Sequence, residues 1–230
     1  MELILDASSR STRVGVALKG LLQWTSDPLA PQEHTRQLLP AILKGMESTS
    51  TAFHELELIV VALGPGPFNG LRVAVSAAKG LGAGTGAAVV GISTLEAEAH
   101  RCSPGTGTVR PVIAAGRTAV ATALFEWRDS AWVQVEDTRL VEAAELTQFV
   151  DESAPLCGEI DDAFDVVHAA AREQALRIAT GRGSRLDSLA ELGWKRFCTG
   201  DVASVAALQP LYARPPPTRL PKNGFSRCAS

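Results

Sequence analysis

Apolar positions in the first hundred residues switch between the two-residue period of strands and the longer period of helices. Leu3, Ile4 and Leu5 form a short apolar run that stops at Asp6. Val14, Val16 and Leu18 then recur at every second position, as in a strand with one buried face. Lys19 and Gly20 form a turn, and residues 21–24 read as a third strand. Leu38, Ile42 and Met46 are spaced for one helix face, with Leu39 and Leu43 beside them. Residues 58–63 are continuously apolar, which predicts a strand covered on both faces. A helix over 70–81 and another apolar strand over 87–92 follow.

The second half repeats part of this plan. Strands are expected over 109–115, 120–127 and 131–135, with a turn at Arg128, Asp129 and Ser130. Helical spacing covers 142–150, where Leu146 and Val150 lie one turn apart. Short strands at 156–158 and 166–167 precede helices over 169–179 and 185–192. A last helix is expected over 201–208, with Asp201 as its N-cap and packing back on the first lobe. Two halves that each open with a meander suggest a duplication in which the second copy is degenerate. The expected units are 1–103 and 104–214, divided near Ser103, Pro104 and Gly105. Beyond Arg214, consecutive prolines and a polar end predict a disordered tail over 215–230.

The junction of the 58–63 strand with its helix carries the sharpest local signal. Gly64, Gly66 and Gly70 alternate there with Pro65 and Pro67, so two pieces of backbone must come very close. Asn69 is the expected N-cap, and Ala74, Ala77, Ala78 and Gly82 give the helix a small-residue side. One reading is an anion site at the helix N-terminus. The other is a tight turn that serves packing alone. The spacing is neither G-x-G-x-x-G nor the P-loop pattern. Asp6, Ser8 and Ser9, together with Gly64 and Gly66, are the candidate phosphate or nucleotide contacts, and Asp6 can equally cap a turn.

Composition narrows the class. A chain of 230 residues with 46% apolar and 20% charged residues is a globular protein. Such a chain can bury roughly 70% of its unfolded surface. The net charge of −3 argues against broad contact with phosphate backbones. No apolar run reaches membrane-spanning length and the start lacks a leader pattern, so a cytoplasmic location without membrane contact is expected. Cys102, Cys157, Cys198 and Cys228 contain no C-x-x-C pair, which fits reduced thiols. There is no G-x-S-x-G elbow. His100 and Cys102, two apart, would point to opposite faces of a strand. The histidines His34, His54, His100 and His168 lack ligand spacing, so no metal centre is expected.

Five motifs run in order along nearly the whole chain: LILDASS from Leu3, EHTRQLLP from Glu33, LGPGPFNGLRVAVSAAKGLG from Leu63, VVGISTLEA from Val89 and PLYAR from Pro210. In these the sequence resembles the TsaB (YeaZ) family, the smaller partner of TsaD in bacterial threonylcarbamoyladenosine (t6A) synthesis on tRNA. The resemblance implies an α/β, two-lobed ASKHA fold (actin/hexokinase-type, ribonuclease-H-like) with a degenerate second lobe. It also implies a noncatalytic subunit that binds a TsaD-like transferase and a TsaE-like ATPase, with any tRNA contact indirect. Leu38, Ile42, Leu71, Ala74, Val75 and Ala78 are then the expected interface, on the two helices that the family uses for pairing. The two metal-ligand histidines of TsaD correspond here to Thr94 and Glu98. ATP or ADP and Mg²⁺ enter this reading only in the assembled complex.

The chain departs from the family pattern at Ala7, Pro67 and Asn69, and where Ala115, Gly116 and Arg117 match an Asp-Ala-Arg that commonly opens the second lobe. Two other readings stay open from the residues. One is a small-molecule kinase or ATPase of the same fold; the other is a homodimeric scaffold with different clients.

Overall fold

The computed structural model describes residues 1–9, 11–30, 34–102, 105, 107–116, 118–149, 154–158, 183–202 and 204–213. Expectations for 103–104, for 166–167, for the 169–179 helix and for the tail fall outside these residues.

The first sheet has the order β3-β2-β1-β4-β5. Its strands are β1 (Glu2–Asp6), β2 (Arg13–Leu18), β3 (Leu21–Thr25), β4 (Leu58–Gly64) and β5 (Ala88–Ser93). β1 pairs antiparallel with β2 and parallel with β4, which is parallel to β5. Side chains alternate across the sheet, as the pleat requires. Leu3, Leu5, Ile59, Val61 and Val89 enter one core, whereas Ile4, Leu58, Val60, Ala62, Val90 and Ile92 enter another. This explains why 58–63 is apolar throughout: both faces of β4 are covered. Fully burying each such side chain stabilises by about 1.5–3 kcal/mol.

Helices α1 (His34–Ser48) and α2 (Phe68–Thr85) cover the first face. α2 lies close to the sheet because of its small residues. A Cβ on Gly82 would come 2.5 Å from Val89 Cγ2. The helix begins earlier than the sequence predicts. Pro67 takes the N-cap position and Asn69 lies inside the first turn, exposed. A proline suits that boundary because the first helical N–H groups have no intrahelical partner.

The opposite face is covered by α4 (Arg185–Thr199), whose Leu186, Leu189 and Ala190 join the second core. A Cβ on Gly193 would stand 2.3 Å from Val60 Cγ2, so only glycine lets the helix approach this closely. Ser184 N and Oγ both donate to Asp187 Oδ2 at its start. Gly200 ends it at φ +75°, in the left-handed conformation that favours glycine. The sequence places 185–192 in the second unit; its apolar stripe instead packs on the first sheet.

The second sheet has the order β10-β7-β6-β8-β9, with β11 added parallel to β6. Its strands are β6 (Thr108–Ala114), β7 (Ala119–Thr122), β8 (Phe125–Arg128), β9 (Ala131–Gln134), β10 (Arg139–Glu142) and β11 (Leu156–Gly158). The single strand expected over 120–127 is therefore two, because β7 and β8 pair with different halves of β6. The helix expected over 142–150 is also replaced. Glu142 pairs with Ala119 at the end of β10, and a 3-10 segment (Ala143–Phe149) follows.

Between the sheets lies α3 (Thr94–Cys102), which touches β4 and β5 on one side and β6, β9 and β11 on the other. No helix forms over 201–208 among the described residues. A turn at 205–207 carries Leu208 into the first core, and Leu211 N donates to Leu63 O at 2.7 Å. Among the described residues no helix is long and apolar enough to cross a membrane.

Candidate functional site

Two strand turns face each other across a cavity of about 370 Å³. Ser9, Gly66 and Phe68 line it from the first sheet's side, Ala114, Ala115, Gly116 and Leu140 from the second. Tyr212 closes one edge and stacks on Phe68 with ring centroids 4.9 Å apart.

The Asp6 carboxylate, at the end of β1, does not face this cavity as a free group. Its Oδ1 accepts from Ser8 N at 3.0 Å and from the Ser8 hydroxyl. Its Oδ2 accepts from Arg185 Nε at 2.8 Å. The same guanidinium donates through Nη1 to Glu98 Oε1 at 2.8 Å, and Arg101 Nε donates to Glu98 Oε2 at 2.8 Å. Asp6, Glu98 and Arg185 are 4%, 3% and 9% exposed, so this ion network is desolvated. Burial alone would push the Asp6 carboxyl up; the Arg185 charge and the Ser8 hydrogen bonds outweigh it and hold it below the usual range. The turn-capping reading of Asp6 is the one the geometry displays.

The glycine loop is filled by the chain itself. A Cβ on Gly66 would lie 2.3 Å from Ser8 O, and one on Gly70 2.6 Å from Ala7 O. Gly64, at φ +107°, sits under Leu211 O. Of the candidate phosphate contacts, only Ser9 and Gly66 line the cavity. Asp6 and Ser8 are turned inward, and Gly64 is covered by the 208–213 segment. On the far side Ala115 N donates to Ala119 O at 2.9 Å, and no carboxylate lines the cavity among the described residues. A divalent cation held from both turns does not fit these groups.

Thr94 and Glu98 are both buried on α3. The Thr94 hydroxyl has no hydrogen-bond partner among the described residues, while both Glu98 oxygens are taken by arginines, so the pair does not fit a metal ion. His100 and Cys102, whose spacing of two would place them on opposite faces of a strand, are both on this helix. His100 Nε2 lies 2.8 Å from Glu191 Oε2.

The expected interface residues require a correction. Leu38, Ile42, Leu71, Ala74, Val75 and Ala78 are each 3% exposed or less and pack within the protein's own cores. The strand period of β1, β2 and β4 presents an apolar face that these residues must cover. One position along α1, Leu39 and Leu43 point outward at 54% and 50% exposure. On α2, Arg72, Ser76 and Gly80 are exposed, and no atom of the described residues lies within 4 Å of a Cβ built on Gly80 or Gly84. Leu39 and Leu43 also carry helical spacing in the sequence, but a pattern of period alone does not say which of two adjacent stripes faces the sheet.

Similarity to solved structures defines the fold class first. YeaZ from Pseudomonas aeruginosa superposes with a TM-score of 0.69 at 18% identity, over 92% of this chain and 98% of that one. The activator of 2-hydroxyisocaproyl-CoA dehydratase from Clostridium difficile, solved with bound ADPNP, gives 0.51 at 11% identity, over 86% and 94%. The architecture is the two-lobed ASKHA fold. A family model described as "TsaD: tRNA N6-adenosine threonylcarbamoyltransferase" matches residues 28–171. The TsaB protein of Escherichia coli, named for tRNA threonylcarbamoyladenosine biosynthesis, is 30% identical over 86 residues, and that of Bacillus subtilis 28% over 121. These alignments span 37% and 53% of the two relatives and the same shares of this chain. The chain belongs to the family that this model describes and, within it, to the TsaB (YeaZ) group.

Proposed function

We propose that this chain is a noncatalytic subunit that pairs with a TsaD-like threonylcarbamoyl transferase and supports t6A formation on tRNA. The observation that carries the pairing is the outward face of α1 and α2. Two half-exposed leucines, Leu39 and Leu43, stand there beside a helix that is open at Gly80 and Gly84. An apolar pair on one helix and small residues on the helix it touches suit close packing by other helices. The noncatalytic reading is supported by the Arg185 guanidinium, which pairs with both Asp6 and Glu98. A TsaE-like ATPase, with ATP and Mg²⁺, belongs to the assembled complex in this reading, and tRNA is contacted through the partner.

Replacing both leucines, L39E with L43E, tests the surface. The double variant is expected to keep the wild-type circular dichroism and melting temperature but no longer co-purify with the TsaD-like chain of the same genome. Undiminished co-purification would overturn the pairing surface. The same face can be self-complementary in a homodimer. Size-exclusion chromatography of the wild type alone distinguishes that case, since a homodimer disrupted by the same substitutions uses this surface too.

A further inference from the structure

Two of the cysteines meet behind the ion network that fills the interlobe turn. Cys102 is the last residue of α3, and Cys157 is the middle residue of β11, opposite Pro111 of β6. Both belong to one buried cluster with Leu95, Ala99, Val109 and Phe125. The two thiols are close enough that each shifts the other's titration. Both also touch the same residue: Cys102 Sγ lies 3.9 Å from Glu98 Oε2, and Cys157 Sγ lies 3.9 Å from Glu98 O. This proximity joins segments 55 positions apart in sequence and is invisible in their spacing.

We propose that Cys102 and Cys157 form a reversible dithiol–disulfide site, oxidised by peroxide. The environments of the two sulfurs divide the roles. Its interaction with Cys157 lowers the Cys102 thiol's pKa against the opposing effect of burial, and the Arg101 charge adds to that lowering. Burial pushes the Cys157 thiol well above the ordinary range. Cys102 is therefore the attacking thiolate and Cys157 the resolving thiol. In the first step the Cys102 sulfur attacks one peroxide oxygen and the O–O bond breaks. A sulfenic acid forms and hydroxide leaves, to be protonated to water. In the second step the Cys157 sulfur attacks the sulfenic sulfur, the S–O bond breaks, and the Cys157 proton leaves with the hydroxyl as a second water. The peroxide is reduced by two electrons and the two thiols are oxidised by two.

The disulfide would staple the C-terminal end of α3 to β11. It would also remove the thiol next to Glu98, the carboxylate that Arg101 and Arg185 hold. Oxidation thus acts on the helix lying between the two sheets.

The test uses the full chain with the other cysteines replaced, C198S with C228S, treated with hydrogen peroxide, then unfolded and alkylated with N-ethylmaleimide. The expected result is a mass about 2 Da lower with neither thiol alkylated, and a linked Cys102–Cys157 peptide on non-reducing digestion. Dithiothreitol should restore both thiols, and the oxidised chain should melt several degrees higher than the reduced one. Adding C157S should leave a Cys102 sulfenic acid that dimedone traps; adding C102S should leave Cys157 unmodified. The proposal is overturned if both thiols alkylate fully after an exposure that oxidises free dithiothreitol. It is equally overturned if Cys102 proceeds to a sulfinic acid while Cys157 stays free.

Discussion

The two turns that face each other across the interlobe cavity are built by different physics. The first, at Asp6–Ser8, is locked: its carboxylate is paired with Arg185, and its backbone is pressed by Gly66 and Gly70. The second, at Ala115 and Gly116, is open among the described residues, with no carboxylate of theirs lining it and none of their atoms within 4 Å of a Cβ on Gly116. A cleft between two lobes does not by itself make a cation or phosphate site. It needs charge that is available on both sides, and here one side has neutralised its own acid with an internal arginine while the other presents none among the described residues.

Removing the lock should have the largest effect. R185M leaves Asp6 and Glu98 buried without their shared cation, and breaking such a pair costs about 3–5 kcal/mol. Urea denaturation should register that loss; a midpoint within error of the wild type would mean that the network is not what holds the first turn. Adding D6N to R185M should recover part of the loss, because one of the uncompensated charges is gone.

Next in size is the contrast between glycines. G66A forces a methyl against the Ser8 carbonyl and should cost about 1–3 kcal/mol, as overpacking does. G116A meets no neighbour among the described residues and carries the strain of its φ of +129°. It should cost about 1 kcal/mol. Equal losses at the two positions by thermal melting would erase the distinction between a locked and an open turn.

The smallest effect is the dependence on pH. The Asp6 carboxyl is held below its ordinary 3.8, so its contribution is complete above that value and is lost as pH falls through the lowered one. The stability difference between wild type and D6N should therefore be constant near neutrality and shrink only below about pH 3.8. A difference that already narrows near pH 6 would mean that Asp6 is not held low by Arg185.

Much of the first sheet is legible in the chain because its signals are local. The alternation of Val14 and Val16, the doubly apolar 58–63 run and the helical spacing of Leu38 and Ile42 follow from the periods of pleat and helix. The second sheet is less legible. β6 divides its pairing between β7 and β8, and the stretch with helical spacing gives Glu142 to β10, paired with β7, and continues as a 3-10 segment. The candidate site was half legible. Asp6, Ser8, Ser9 and the glycines draw notice as a set, yet Arg185 stands 179 positions from Asp6 and nothing in its neighbourhood marks it as their counterion. The Leu38–Ile42 and Leu39–Leu43 stripes are equally apolar, so their inward and outward assignment needs the sheet.

The sequence by itself determined the strand and helix periods, the glycine-rich junction that requires two backbones to touch, and the motifs that place the chain in its family. These are properties of neighbouring residues, and local sterics and burial enforce them. Only the tertiary structure decided what the glycines touch, which cation neutralises Asp6 and which thiol meets Cys102. Those partners lie far apart along the chain, and only the joint packing of α3 and α4 between and against the sheets brings them within hydrogen-bonding reach.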